Sequence, residues 1–506
     1  MTRREPDATD SGEIAAHRTE LAAKVSEGAG VGPYTAEWSS LRKAGTPDWI
    51  QDAKLGVFIH WLVSSVPAFG TEWYPRNMYI AGTPEFDHHV ETYGPQSEFG
   101  FKDLIPSFSG EHFDADTWMD LVQRSGARYV VPVAEHHDGF ALYDSELTRW
   151  KSTEMGPHRD VIGELANAAR ARRIVFGISN HRAEHWWFFN GGRKFESDVQ
   201  DPAYDDLYGP AQPLGTQPDK EFLDDWTARL AEVVERYDPE LVYFDWWIEE
   251  PAFRPRLAEF AAYYYNRASK RQSRPPVINY KWEAFDKGAA VYDIERGTAQ
   301  GIEEEFFQND TSASRIAWAH LSENEYKTAQ DVIGELLDVV SKNGTLLLNI
   351  GPQPDGTIVE QERAVLEGLG DWMEVNGEAI YGSRPWLVFG EGPTALRLGS
   401  FADSDPTIWT SEDLRFTTVD GAVYVAPMVH PGDELAVRSL GRALRIVGEP
   451  VVEVSVLGHG AVPWTQDDDA LRVDLASLDR DRPTPVLRVV LAPSQPVERY
   501  EPSFPV

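Results

Sequence analysis

Cysteine is absent from all 506 residues, so disulfides and thiolate chemistry are excluded, and the absence does not identify a redox compartment. Positive charge is scarce. The 47 Lys and Arg stand against 82 Asp and Glu, a net −35 that argues against nucleic acid or an anionic membrane as partner. Spread along the whole chain, this acidity reads as a solubilising surface. Long apolar runs are missing as well, and nothing approaches the ~18 residues of a membrane span. Arg3 and Arg4 come early, but no apolar stretch follows them as in a secretion signal. The expectation is a cytoplasmic protein with no nucleic-acid or membrane partner.

What is present is the material of a large core, 42% hydrophobic residues with 12% aromatics. The length exceeds one ordinary domain but suits a barrel with an accessory domain. Residues 1–47 are polar and read as a peripheral segment, with a helix over Ser11–Glu27. Gly28-Ala-Gly-Val-Gly32 has no strand before it, which excludes a dinucleotide-binding loop.

From residue 48 to about 385, strand-like and helix-like segments alternate. Leu241–Phe244 is an apolar run with no alternation, the pattern of a strand buried on both faces, and Leu55–His60, Tyr129–Ala134, Val175–Ser179, Pro276–Tyr280, Val291–Glu295 and Thr345–Ile350 are read as further strands. Phe113–Gly126, Ile162–Arg173, Phe222–Tyr237 and Val332–Lys342 carry helical periodicity. This order predicts a (β/α)8 TIM-like barrel. Seven strands are placed, and the eighth is expected near Ile316–His320. Residues 386–506 change texture: six strand-like runs between short turns predict a C-terminal antiparallel β-sandwich, with Gly382–Pro393 as the junction.

The strand ends carry the chemistry. Asp245 follows Leu241–Phe244, and a carboxylate ending a buried strand beside Trp246 and Trp247 is costly unless paired or used. The other ends supply His60, His136, His137, Asn180 and Glu295, with Trp61, Trp73 and Tyr74 close in sequence. Planar hydrogen-bonding groups and aromatic rings suit a sugar, and two carboxylates are the usual equipment for glycoside hydrolysis. No cofactor is expected. His181-Arg-Ala-Glu-His185 spells the H-x-x-E-H of some zinc peptidases, but that site needs both histidines on one helical face, and His181 sits at a strand end. Neighbouring His136 and His137 point to opposite faces. No catalytic metal is expected, and His181 is read as pocket wall. Arg159 and Asp160 read as a pairing and a capping residue, and Trp282, Trp318 and Trp372 as core.

Several ordered stretches resemble glycoside hydrolase family 29, the retaining α-L-fucosidases. They are Ala53–Trp61, Glu72–Tyr79, Glu135–Tyr143, Gly156–Asp160, Asn180–Trp186, Leu241–Trp247, Asp293–Gly297, Ser341–Gly356 and Trp372–Pro385. The resemblance implies a nucleophile at Asp245 and a general acid/base at Glu295, about 5–5.5 Å apart, with the Glu295 pKa raised. It also implies a fucosylated oligosaccharide or glycoside as substrate. His60, Glu72, Trp73, His136, His137 and Asn180 match positions on the fucose, and Tyr243 stands where other members carry Trp. Leu62, Phe307–Asn309, Ala317–His320 and Ser179–His181 depart from the usual pattern, and Glu303–Glu305 offers rival acid/base groups. Those departures leave room for a relative that binds fucose, or a sugar of similar stereochemistry, without the usual turnover.

Overall fold

The computed structural model describes residues 8–271, 274–396, 400–401, 406–446, 448–479 and 484–492. Eight parallel strands form a closed barrel: β1 (Leu55–Ile59), β2 (Tyr129–Glu135), β3 (Val175–Asn180), β4 (Leu241–Phe244), β5 (Val277–Tyr280), β6 (Val291–Glu295), β7 (Phe307–Ser312) and β8 (Gly344–Ile350). Pairing of β1 with β8, Val57 opposite Leu348, closes the ring. Alternate residues face opposite sides. Phe58, Tyr129, Val131, Val133, Leu241, Tyr243 and Leu347 fill the interior, while Val57, Ile59, Val130, Val242, Phe244, Leu346 and Leu348 face the helices. Burial on both sides is why these strands read as continuous apolar runs.

Two of the barrel helices show the local signals that set them. Asp219 accepts the amide of Phe222 at 2.9 Å to start Lys220–Tyr237, and Asp238 ends it in a left-handed conformation. After Pro239 and Glu240 the chain enters β4, which delivers Asp245. Asp160 caps Val161–Ala171 through Gly163, and Arg159 pairs with Glu164, as the sequence indicates. A helix over Ala8–Ala29 buries Leu21, Val25 and Ala29 against Lys220–Tyr237 and Arg254–Arg271. Among the described residues no helix is long and apolar enough to cross a membrane.

The sequence misplaces one strand. Ile316–His320 is irregular chain, and the seventh strand is Phe307-Gln-Asn-Asp-Thr-Ser312. Its inward side chains are polar because they belong to the site and the network beneath it. Gln308 donates to Asp293 at 2.8 Å, and Asp310 accepts the Tyr243 hydroxyl at 2.7 Å. A buried strand whose one apolar residue is Phe307 gives no hydrophobic run.

The C-terminal region is a sandwich of two antiparallel sheets. One has six strands in the order β14 (Gly460–Ala461), β13 (Val451–Val456), β17 (Leu487–Leu491), β11 (Ala422–Pro427), β10 (Leu414–Val419) and β9 (Arg384–Glu391). The other has three in the order β12 (Glu434–Val437), β16 (Leu471–Asp474) and β15 (Trp464–Gln466). Val423, Val425 and Val489 from the first meet Leu435, Leu471 and Val473 from the second in one core. The stretch read as a junction is itself the edge strand β9, a position that tolerates Pro385. Arg415 of this region donates to Asp338 of the barrel at 2.7 Å, and Lys342 grips the same carboxylate at 2.7 Å.

Candidate active site

Strands β1 to β7 each deliver at least one side chain to a cavity of about 250 Å³ at their carboxyl ends. His60, Glu72, Trp73, His136, His137, Tyr243, Asp245 and Glu295 all line it. Asn180 does not. Its side chain accepts the Arg182 amide at 3.3 Å, and the residue after it enters the cavity instead. Side-chain alternation explains the exchange, since Ser179 and His181 share one face of β3 and Asn180 has the other.

At the centre stands an ammonium group. Lys281, one residue past β5, places Nζ 2.6 Å from Glu295 Oε2, 3.2 Å from Asp245 Oδ1 and 3.6 Å from Asp310 Oδ2. Burial disfavours its charge, but Asp310, Glu295 and Asp245 hold its pKa well above the ordinary value. The two catalytic candidates are therefore no farther apart, oxygen to oxygen, than the 2.6 and 3.2 Å arms of this bridge laid end to end.

The environment separates the two carboxyls. Burial works against ionisation of Asp245, but Lys281, His181 and His137 overcome it and hold its pKa well below the carboxylate range. His181 Nδ1 lies 2.8 Å from Asp245 Oδ2, with its other nitrogen fixed by Ser179 Oγ at 2.9 Å. For Glu295 burial prevails. Lys281 opposes it, Asp310 and Asp245 reinforce it, and the pKa is pushed up to about 7. One carboxyl is kept ionised and the other protonated near neutrality, the division of labour between nucleophile and acid.

The histidines are also divided. Burial keeps His60 and His136 well below the usual imidazole value, so both are neutral hydrogen-bonding groups. His60 Nδ1 meets Asn349 Oδ1 at 2.7 Å, while the Asn349 amide nitrogen donates to Ser312 and to the Trp318 carbonyl. Asn349 Oδ1 must accept, so His60 carries its proton on Nδ1 and turns Nε2 outward as an acceptor. His137 differs. Burial lowers its pKa, but its ion pair with Glu184 and the nearby Asp245 raise it to about 9. Its Nε2 lies 3.6 Å from Asp245 Oδ2, and Trp73 stacks on its ring at 4.9 Å.

The H-x-x-E-H stretch does not converge. His181 faces Asp245, Glu184 pairs with His137, and His185 Nδ1 contacts the His137 carbonyl at 2.8 Å. Among the described residues, His60 with His136 and His181, and His137 with His181 and Asp245, are close enough to hold a cation. His181 belongs to both groups and already uses both nitrogens.

Comparison with known proteins gives the family. The model of the α-L-fucosidase family matches residues 21–378. Tissue α-L-fucosidase of Rattus norvegicus is 31% identical over 88% of this chain and 90% of its own length. The Homo sapiens tissue enzyme is 31% identical over 86% of each chain. The chain belongs to the α-L-fucosidase family. It is thus a glycoside hydrolase. Crystalline Thermotoga maritima α-fucosidase in complex with fucose superimposes with a TM-score of 0.70 at 26% identity, covering 90% of this chain and 100% of that one.

Six members of this fucosidase pocket are not evident as such in the strand-end pattern used above. Phe58, Lys281, Asp310 and Phe401 do not appear in it, and Trp282 and Trp318 read as core. Both tryptophans line the cavity, whereas Trp372 is indeed buried in the barrel core. Trp318 stands 5.3 Å from the His60 ring, and its amide donates to Glu72 at 3.0 Å. The signal for Lys281 was available: a lysine directly after the apolar run Val277–Tyr280, at a barrel strand end. Asp310 was hidden with its strand. The rival carboxyls Glu303, Glu304 and Glu305 are exposed and lie outside the cavity lining.

Proposed function

We propose that the chain is a retaining exo-α-L-fucosidase that releases terminal L-fucose by double displacement. Asp245 attacks the anomeric carbon, and Glu295 protonates the departing oxygen. Glu295 then takes a proton from the water that cleaves the glycosyl-enzyme. The observation that carries this reading is the Lys281 bridge. Its arms of 2.6 and 3.2 Å favour the about 5–5.5 Å carboxyl spacing of retaining enzymes over the about 6.5–9.5 Å of inverting ones. A wider gap would be needed to seat a water between carboxylate and sugar.

The stereochemical outcome tests it. Proton NMR of p-nitrophenyl α-L-fucoside hydrolysis should show α-L-fucose first, with the β anomer appearing only as mutarotation proceeds. β-L-Fucose as the first product would overturn the double displacement.

Acidity gives a second test. Glu295 works as an acid only while protonated, and its pKa is about 7, so kcat/KM should fall as pH rises through about 7. The limb set by Asp245 lies at far lower pH, because that carboxyl is held below its usual range. Glu295→Gln should remove the upper limb for substrates with an activated leaving group. A limb that survives the substitution would mean that another group supplies the proton.

A further inference from the structure

Two rings at the cavity mouth differ from all the others. Phe401 is 59% exposed and Trp282 46% exposed, yet both line the same cavity as the catalytic carboxyls. Both also adopt left-handed backbone, with φ of 57° and 54°. Bulky residues rarely occupy that region, and such strain is typically held where function requires it.

Their positions relative to Glu295 are specific. The Phe401 amide donates to the Glu295 carbonyl at 2.9 Å, which ties this ring to the proposed acid. Trp282 directly follows Lys281, whose ammonium touches the Glu295 carboxyl at 2.6 Å. Tyr243 and Trp318 lie 5.6 and 6.0 Å from the same ammonium, but Tyr243 is buried and Trp318 half-buried. Trp73 stacks on His137, Trp318 lies beside His60, and Trp246 follows Asp245 and sits 6.3 Å from Trp73. Those three adjoin His137, His60 and Asp245, the groups to which the proposed function assigns the fucose ring. A general acid must stand beside the oxygen that leaves, so Phe401, tied to Glu295 through its backbone, stands on the leaving-group side, and Trp282 is the other exposed ring of the same cavity.

We propose that Phe401 and Trp282 form a platform for the leaving group, one that binds a ring with an apolar face, either a pyranose or an aryl aglycone. The assignment rests on Glu295 being the acid. Phe401 lies between β9 and β10, so the β-sandwich region supplies part of this subsite. Exposed aromatic surface of this kind gains affinity by stacking on the face of a ring.

The test compares leaving groups in wild type, Phe401→Ala and Trp282→Ala. The substrates are α-L-fucosyl fluoride, whose leaving group is one atom, a fucosyl-α-1,2-galactoside and p-nitrophenyl α-L-fucoside. The ratio of kcat/KM for each ring-bearing substrate to that for the fluoride should fall about tenfold in each variant, and Phe401→Tyr should recover it. A fall confined to the galactoside assigns the platform to a sugar, and one confined to the nitrophenyl glycoside assigns it to an aryl group. Equal losses on all three substrates would overturn the platform while leaving the hydrolase intact. A wild type that does not turn over the fluoride would overturn the fucosidase reading and the platform with it.

Discussion

Asp245→Ala is expected to lower kcat/KM for p-nitrophenyl α-L-fucoside by about 10⁴-fold or more, and azide is expected to restore much of the loss. The substitution opens a small space beside the anomeric carbon and leaves the charges that face it. Lys281 Nζ sits 3.2 Å from one Asp245 oxygen and His137 Nε2 3.6 Å from the other. Their attraction for the carboxylate would pass to an anion of similar size. Azide attacking from that side displaces nitrophenol in one step, so the product should be the fucosyl azide of inverted configuration. Nitrophenol release and proton NMR of the product follow both events. Residual activity near wild type, indifferent to azide, would remove Asp245 from the nucleophile's place.

Lys281→Met is expected to cost about 10²-fold in kcat/KM, with a change that a merely structural lysine would not cause. Removing a cation raises the pKa of the carboxyls it served. Glu295, already pushed up to about 7 by burial, loses its main opposing charge, so the upper limb of the pH profile should move to higher pH. Asp245 loses the largest of the charges that keep it ionised, so its limb should rise as well. Lys281→Arg keeps the charge and should return both limbs toward their wild-type places. A lower rate with an unmoved profile would reduce Lys281 to a packing role. The pH dependence of kcat/KM for the three proteins decides between these outcomes.

Legibility in the sequence followed the hydrophobic pattern. Strands buried on both sides announce themselves as apolar runs, so β1 to β5 and β8 are readable, while β6, with Tyr292 exposed, shows instead as the alternating Val291-Tyr-Asp-Ile-Glu295. The strand β7 is not readable, because Gln308 and Asp310 turn inward to Asp293 and Tyr243. The same polarity that makes it useful to the site hides it. Parity produced the other error. A strand end offers two adjacent side chains on opposite faces, and sequence alone does not say which one enters the barrel. At β3 His181 enters the cavity, as its reading as pocket wall expects, with its Nδ1 2.8 Å from Asp245 Oδ2, and the error lies in Asn180, which does not enter. Trp282 and Trp318 were misread because tryptophan serves core and ligand equally well. Several sandwich strands bury one face and show as alternating runs, as in β12, β13 and β16, but β9 is masked by Pro385 and the glycines around it.

The contact between His60 and Asn349 joins residues 289 positions apart in the chain. It determines which nitrogen of His60 faces the sugar, yet its second partner belongs to the last strand of the barrel. During synthesis His60 is made early and remains without its orienting amide until β8 has emerged and paired with β1. The pocket is therefore a product of ring closure rather than of any subset of strands. A nascent chain or a slipped register would hold most of the catalytic side chains and still present the wrong imidazole face, so turnover reports on completed assembly of the barrel.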